Sequence, residues 1–370
     1  MGSRMKLSAS REELLKPLQA VIGVVERKQT MPILANVLLV AEGDHLTVTA
    51  TDLEVELVAK GELEKLEVPG QITVPGRKLF DICKALPSQA EVKLSLTGER
   101  LTVQSGRSKF VLSTLSATDF PVVDEIDGSQ VIQVSQSALH HLLEKTNFCM
   151  AQQDVRYYLN GLLFETDGAV LRGVATDGHR LALCEIDLDG QNPVKQQVIV
   201  PRKGVLELQR LLADEGEVEI SIGTNHIRAE LGDIRFTSKL IDGRFPDYSR
   251  VVPELTDTPI LGNRDMIRQA LQRAAILSNE KYRGVRLELL EGQIKIEANN
   301  PDQETAQDEV EVDYTGMSME IGFNVNYLMD ALAAVDSEQV ELNLSDPNSS
   351  CLIRVPGIDS TKYVVMPMRL

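Results

Sequence analysis

From His45 to Lys60 the sequence HLTVTATDLEVELVAK alternates apolar and polar residues with period two, and RLTVQSGRSKFVLSTL does the same from Arg100 to Leu115. That period predicts antiparallel strands with one face buried and one in water. Ahead of and between these runs the period changes. Ser10 and Glu13 form a capping-box pair that opens a helix whose Leu14, Leu15, Leu18, Val21, Ile22 and Val25 share one face. Pro17 lies inside it and predicts a kink or a later start. A second helix follows Val74-Pro75, with Leu79, Ile82, Cys83 and Leu86 at helical spacing and Arg77, Lys78 and Lys84 on the opposite side. The order strand, helix, strands, helix, strands predicts two similar halves, each one helix with a short sheet.

The same order recurs downstream. KFVLSTLSATDFP, ending at Phe120-Pro121, has a counterpart in RFTSKLIDGRFP, ending at Phe245-Pro246, 125 residues later. Thr51-Asp52 returns as Thr176-Asp177, Val74-Pro75 as Val200-Pro201 followed by Arg202-Lys203, and Asn36 as Asn160. The last third follows more faintly: KYRGVRLEL aligns with RYYLNGLLF, FNVNYLMDAL with VPRKGVLEL, and KYVVMP with RFTSKL. A repeat of about 125 residues is domain-sized, and 370 residues are too many for one ordinary core. The chain therefore reads as three copies of one α+β domain, each two helices packed on antiparallel sheets. Turn-rich composition at Asp127-Gly128-Ser129 and from Pro253 to Pro259 divides it into 5–127, 128–253 and 254–370. Met1-Gly2-Ser3-Arg4, ahead of a second methionine, reads as an expression leftover.

Charge complicates the picture. The net charge of -17 speaks against an ordinary tight nucleic-acid binder, which needs a basic face toward phosphate. Yet Arg11, Lys16, Arg27, Lys28, Arg77, Lys78, Lys84, Lys145, Arg202, Lys203, Arg210, Arg264, Arg268 and Arg273 lie on or beside the predicted helices, while acids gather in strands and loops. A charge-segregated protein can be acidic overall and still present a basic wall. The bland alternative is a set of solvated helix faces. Cys83, Cys149, Cys184 and Cys351 show no paired spacing, which predicts reduced, buried thiols in a cytosolic protein. His140 and His141 would point about 100° apart on a helix, so no metal site is expected. No apolar run approaches the length of a membrane span.

Six strings carry a resemblance: AQQDVRYYLNG from Ala151, ATDGHRLAL from Ala175, FTSKLIDGRFPDY from Phe236, ILSNEKYRGVRL from Ile276, IGFNVNYL from Ile321 and the C-terminal YVVMPMRL from Tyr363. In this order they closely resemble the bacterial DNA sliding clamp, the beta subunit of DNA polymerase III, from Met5 to the end of the chain. The resemblance implies the DNA clamp fold, no enzymatic activity, no cofactor, and a cytoplasmic, nucleoid-associated protein. It also implies a head-to-tail homodimer, a ring of six domains with twelve helices lining the hole. Twelve helices about 9–10 Å apart set their axes on a circle roughly 36 Å across. Subtracting a helix diameter of about 10 Å leaves an opening near 26 Å, through which duplex DNA passes without being gripped. Such a ring needs weak, sequence-independent contacts.

The implied partners are duplex DNA, the polymerase III alpha subunit, the clamp-loader delta subunit, and other polymerases and repair proteins that dock short linear motifs. Lys28, Arg77, Lys203 and Arg210 are the expected DNA-facing residues, whereas the last helix, with Tyr327 and Asp330, departs from the basic pattern. Carried over by motif, the peptide-binding cleft takes Arg156, Tyr158 and Leu159, then Thr176, Gly178, His179, Arg180 and Leu181, then Pro246, Arg250 and Val251. The third copy adds Asn324, Tyr327 and Ser350 with the tail residues Val364, Val365, Met366, Pro367, Met368, Arg369 and Leu370. The tail is expected to complete the third sheet, stop at Pro367, and free Met366 and Met368 to line the cleft with Leu181, Pro246 and Val251. At the dimer seam the implied residues are Phe110, Ile276 and Leu277, flanked by Lys78 against Asp302 and Glu304. Without the resemblance, the apolar members of cleft and seam read as core. An enzyme reading would use Asp177 and His179, but no nucleophile elbow, phosphate loop or metal motif accompanies them. A scaffold that never touches DNA is the other alternative, and the acidity favours it.

Overall fold

In the computed structural model, which describes residues 4–25, 30–123, 125, 126, 128 and 130–370, the chain alternates helices with antiparallel strands three times over. The first copy runs β1 (Arg4–Ser10), α1 (Arg11–Val21), β2 (Asn36–Glu42), β3 (His45–Thr51), β4 (Val55–Glu62), β5 (Lys65–Val68), β6 (Gly70–Pro75), α2 (Gly76–Ala85), β7 (Glu91–Thr97), β8 (Arg100–Ser105) and β9 (Ser108–Ser113). The second has β10 (Gln130–Ser135), α3 (Gln136–Thr146), β11 (Gly161–Asp167), β12 (Val170–Thr176), β13 (Arg180–Asp187), β14 (Gln196–Pro201), α4 (Arg202–Leu211), β15 (Glu217–Ile222), β16 (His226–Leu231) and β17 (Ile234–Lys239). The third has β18 (Ile260–Asn263), α5 (Arg264–Ala275), β19 (Gly284–Leu290), β20 (Gln293–Asn299), β21 (Thr305–Glu311), β22 (Met319–Asn324), α6 (Val325–Ala334), β23 (Gln339–Asn343), β24 (Cys351–Arg354) and β25 (Thr361–Val365). The expected order of elements thus holds in each copy. Arg4 pairs with Thr97 in β7, so the last of the four residues read as a leftover belongs to the sheet.

The halves do not each keep a sheet to themselves. Strands order as β5-β1-β7-β8-β9, as β10-β15-β16-β17-β4-β3-β2-β6, as β14-β11-β12-β13-β25-β24-β23-β18, and as β21-β20-β19-β22. In the second of these β17 pairs with β4 of the preceding copy, Ile234 opposite Ala59; in the third β25 pairs with β13, Val364 opposite Leu181. Contacts gather the chain into two compact units. One holds Met1–His140, Gln191–Val194 and Lys203–Ile241, the other His141–Gly190, Lys195–Arg202 and Asp242–Leu370.

Helix α1 shows how local sequence and tertiary packing combine. Ser10 Oγ accepts from the Glu13 amide at 3.2 Å, as a capping box requires. The Glu13 carboxylate leaves the box and accepts from the Glu62 amide at 2.9 Å, tying the helix to β4. Pro17 does not delay the helix, which starts at Arg11; it is buried inside it. Pro17 has no amide proton for the Glu13 carbonyl. That oxygen faces β4 so closely that a Cβ at Gly61 would lie 2.1 Å from it.

Basic side chains at helix starts and ends turn to neighbouring helix C-termini, whose last carbonyls lack intrahelical donors and carry the negative end of the dipole. Arg11 donates to the carbonyls of Cys83 and Lys84 at 3.0 Å each, at the end of α2. Arg77 donates to Val25 O at 2.6 Å, beyond α1. Arg210 donates to Ala20 O at 2.5 Å, near the end of α1. Lys145, expected on a helix surface, is buried and donates to Ala334 O at 2.8 Å and to Asp336 at 2.7 Å, at the end of α6. Arg264 reaches Val335 O. All four cysteines are free and buried, as expected.

Gly61→Ala tests the α1 contact. Its new Cβ meets a backbone oxygen that cannot rotate away, so the helix must shift at a cost of about 1–3 kcal/mol. The urea midpoint is expected to fall, and an unchanged midpoint would refute the close approach of α1 to β4.

Candidate functional site

The TDGHR motif forms a tight turn between β12 and β13. Asp177 Oδ1 accepts from the amides of His179 at 2.9 Å and Arg180 at 3.1 Å. Thr176 Oγ1 accepts from the Gly178 amide at 3.1 Å and donates to Arg180 O at 2.7 Å. Gly178 has φ +88, a conformation costly for residues with a Cβ, and a Cβ there would sit 3.0 Å from both terminal nitrogens of Arg156. The first copy repeats the device: Asp52 Oδ1 accepts from the amides of Glu54 and Val55, and Leu53 holds φ +77.

Arg180 is the hub of this site. Its guanidinium donates to Asp177 at 3.2 Å, Asp330 at 2.6 Å and Phe148 O at 3.2 Å, and lies 4.6 Å from the Tyr327 ring centre. The exposed His179 ring stacks on Tyr327 at 6.1 Å. Tyr327 and Asp330 break the basic pattern of the helices because they hold this arginine. Arg156 forms a fork with Asp154, at 3.0 and 2.9 Å, and Asn160 fixes the backbone of Asp154 from both sides. An open depression of about 540 Å³ lies here, lined by Phe148, Met150, Asp154, Asp177, His179, Arg180 and Arg202 among others. Of these, the sequence singled out His179 and Arg180 for the cleft. The repeat Thr-Asp could have pointed to Asp177, while Phe148 and Arg202 reach the site through tertiary packing alone.

Three other segments carry the remaining expected cleft residues. Pro246, Arg250 and Val251 lie on a linker that Tyr248 anchors: its hydroxyl donates to Glu165 and accepts from Arg172 at 2.8 Å. Burial pushes the Tyr248 hydroxyl pKa up, and its bond to Glu165 adds to this. Gly243 on the same linker packs against Tyr157 and the Cβ of Tyr158. Asn324 caps α6, accepting from the Asn326 amide at 2.9 Å. Ser350 is half-buried just before Cys351, which pairs with Val365.

The tail corrects one expectation. Met366 is not free of the ladder, since its amide donates to His179 O at 3.0 Å, and Met368 donates to Gly322 O at 2.8 Å. Leu159, Leu181, Val364 and Val365 are buried, and in the β13–β25 ladder Leu181 stands opposite Val364 and Arg180 opposite Val365. Tyr158, Val251, Met366, Pro367 and Met368 are half-buried, and Pro246, Arg250, Arg369 and Leu370 are exposed.

Three of the four expected DNA-facing residues are engaged within the chain. Arg77 and Arg210 are engaged at helix ends as described, and Lys203 pairs with Asp52 at 2.5 Å. Lys28 lies outside the described residues. At the expected seam Ile276 is 76 % exposed and Leu277 half-buried, so Ile276 is not core. Phe110 is 37 % exposed on the edge strand β9, and Lys78, Asp302 and Glu304 are exposed.

Three repeats of paired helices on antiparallel sheets, with a polar turn stitched to the C-terminal strand, define a DNA clamp. The chain belongs to the family of the DNA polymerase III beta subunit, whose N-terminal, central and C-terminal domains match residues 5–124, 133–247 and 249–369. It is 57% identical to a beta sliding clamp of Pseudomonas putida and 52% identical to that of Escherichia coli K12, each match covering 99% of this chain and all of the relative. A crystallised sliding clamp from Pseudomonas aeruginosa bound to griselimycin is 56% identical, with a TM-score of 0.95 over the whole of both chains. The function is therefore that of a sliding clamp, a non-enzymatic processivity factor that encircles DNA and serves DNA polymerases.

Hydrogen bonds from the Arg156 side chain and backbone hold the Asp154 carboxyl at a pKa of about 2. The depressed value means that the pair's contribution is present above the unfolded carboxylate range and is lost as pH falls through about 2. Arg156→Ala is expected to return Asp154 toward 3.8, read by carboxyl NMR titration. A titration that stays near 2 would mean another group holds it.

Proposed function

We propose that two copies close head to tail into a ring in which β9 of one chain extends the sheet of its partner at β21. The carrying observation is a pair of unlike unpaired edges. Strand β9 ends one sheet, exposes Phe110 and 53 % of Val111, and has Arg107 and Lys109 beside them. Strand β21 ends another and carries Asp308, Glu309 and Glu311, with Asp302 and Glu304 just before it. An exposed apolar edge invites pairing, and opposite charges select the partner edge. Ile276 and Leu277, at the end of the helix packed on β21, supply apolar area beside that edge, and Lys78 would face Asp302 and Glu304. A head-to-tail contact used twice leaves no free edge at either seam.

Within the ring, exposed bases on helix faces take the weak phosphate contacts. Lys16, Lys84 and Arg268 are exposed, and they join Lys28 in this role. Arg77, Lys203 and Arg210 serve chiefly to fix the helices that form the wall. The docking surface comprises Tyr158, His179, Val251, Tyr327 and the tail. Short hydrophobic motifs of the polymerase III alpha subunit, the clamp-loader delta subunit, other polymerases and repair proteins bind there. The methionines support this, since a flexible thioether repacks against varied side chains. The protein works in the cytoplasm, at the nucleoid.

Replacing Ile276 and Leu277 by Ala is expected to shift the protein toward monomer at nanomolar concentration, because truncating central apolar anchors costs about 2 kcal/mol or more. Unchanged sedimentation would remove them from the seam. Loader-treated protein is expected to stay on circular DNA and to slip from linearised DNA; equal loss from both would sink the ring. Deleting Pro367 to Leu370 is expected to abolish binding of hydrophobic polymerase peptides while leaving the dimer intact. Undiminished affinity by calorimetry would sink the tail's role.

A further inference from the structure

We propose that Gly322 is a positioning residue for peptide docking, because it provides the seat that holds the C-terminal tail in register. The proposal rests on the docking surface assigned above. After β25 the tail is stitched at two points, through Met366 to the His179 carbonyl at 3.0 Å and through Met368 to the Gly322 carbonyl at 2.8 Å. It thereby joins the turn of the second copy to the four-stranded sheet of the third. Leu370 then lies over two glycines on neighbouring strands, Gly322 of β22 and Gly284 of β19.

Neither glycine has a positive φ, so close approach rather than turn geometry accounts for them. A Cβ on Gly322 would lie 2.6 Å from the Met368 carbonyl oxygen and 2.8 Å from Cγ and Cδ1 of Leu370. A Cβ on Gly284 would meet Leu370 Cδ2 at 2.5 Å. The first clash involves backbone and cannot be relieved by a rotamer; the second involves the end of a flexible side chain. Gly322→Ala must therefore lift the tail and break the Met368 bond, whereas Gly284→Ala need only turn Leu370. Leu370 is 59 % exposed, so the shape of the seat, more than burial, fixes its place.

Hydrogen exchange at the tail amides and calorimetry with a hydrophobic polymerase peptide test this together, on the full chain. Gly322→Ala is expected to speed exchange at Met368 and to weaken the peptide about tenfold, with Gly284→Ala within about threefold of the parent. Adding Leu370→Ala to Gly322→Ala is expected to change little, because the seat is already lost. Unchanged exchange at Met368 in Gly322→Ala overturns the seat. Faster exchange with undiminished affinity overturns its role in docking. A parent chain that binds no peptide, while exchange still responds to Gly322→Ala, overturns the docking surface and leaves the seat standing. If Gly322→Ala does not fold, hydrogen exchange in the parent chain decides: protection of the Met368 amide is expected, and exchange there as fast as at an unstructured amide overturns the seat.

Discussion

Two antiparallel ladders hold the molecule's repeats together: Ile234–Ser238 on Val55–Ala59, and Arg180–Cys184 on Thr361–Val365. Each carries a sheet from one copy into another through backbone hydrogen bonds, which specify direction and register but ask little of side-chain identity. Everything at the site hangs on the second ladder. It brings the turn that precedes β13 beside the end of β25, and so brings His179 to the tail. It also places the buried Tyr363 where its hydroxyl donates to the Lys145 carbonyl at 2.9 Å, fixing the end of α3. Shared sheets are stiffer joints than the flexible linkers that usually separate domains.

The helices are fixed by a different force. Arg11, Arg77, Arg210, Lys145 and Arg264 each donate to carbonyls at the end of another helix, where donors are missing and the dipole is negative. This explains how a chain of net charge -17 can concentrate its bases on helices without presenting all of them to a ligand. Part of that charge is structural.

The elements were legible in the sequence because their causes are local. Period-two runs became β3, β4, β8 and β9, the Ser10 cap opened α1, and the 125-residue repeat returned even the Thr-Asp turn. Pairing between copies was not legible. The segment RFTSK reads the same whether its neighbour is its own copy or the preceding one. Nor could polarity alone separate a solvated lysine from Lys145, which is buried against Asp336. The tail's fifth residue from the end read as free, but its amide finds a carbonyl on a turn that only the folded ladder brings near. For Ile276 the sequence left core and seam equally open, and exposure decides against core.

The two junctions between copies begin from one template and end unlike, for reasons confined to a few positions. At the first, Leu53 occupies the left-handed position, and Glu56 follows one residue after Val55. Glu56 is buried, its pKa raised by that burial, and its carboxylate accepts from the Val123 amide at 2.8 Å. The segment after Phe120-Pro121 is thus clamped directly onto the start of β4. At the second junction Gly178, Arg180 and Leu181 stand in the places of Leu53, Val55 and Glu56. The glycine leaves room for the Arg156 guanidinium, where a larger residue would collide. Arg180 reaches across to Tyr327 and Asp330, which a valine cannot do. Because Leu181 has no carboxylate, the segment after Phe245-Pro246 is pinned elsewhere, by Tyr248 to Glu165 on β11. The start of β13 is therefore left to the tail, through the bond from Met366 to His179. One junction is closed by its own linker, and the other is edged by the chain terminus.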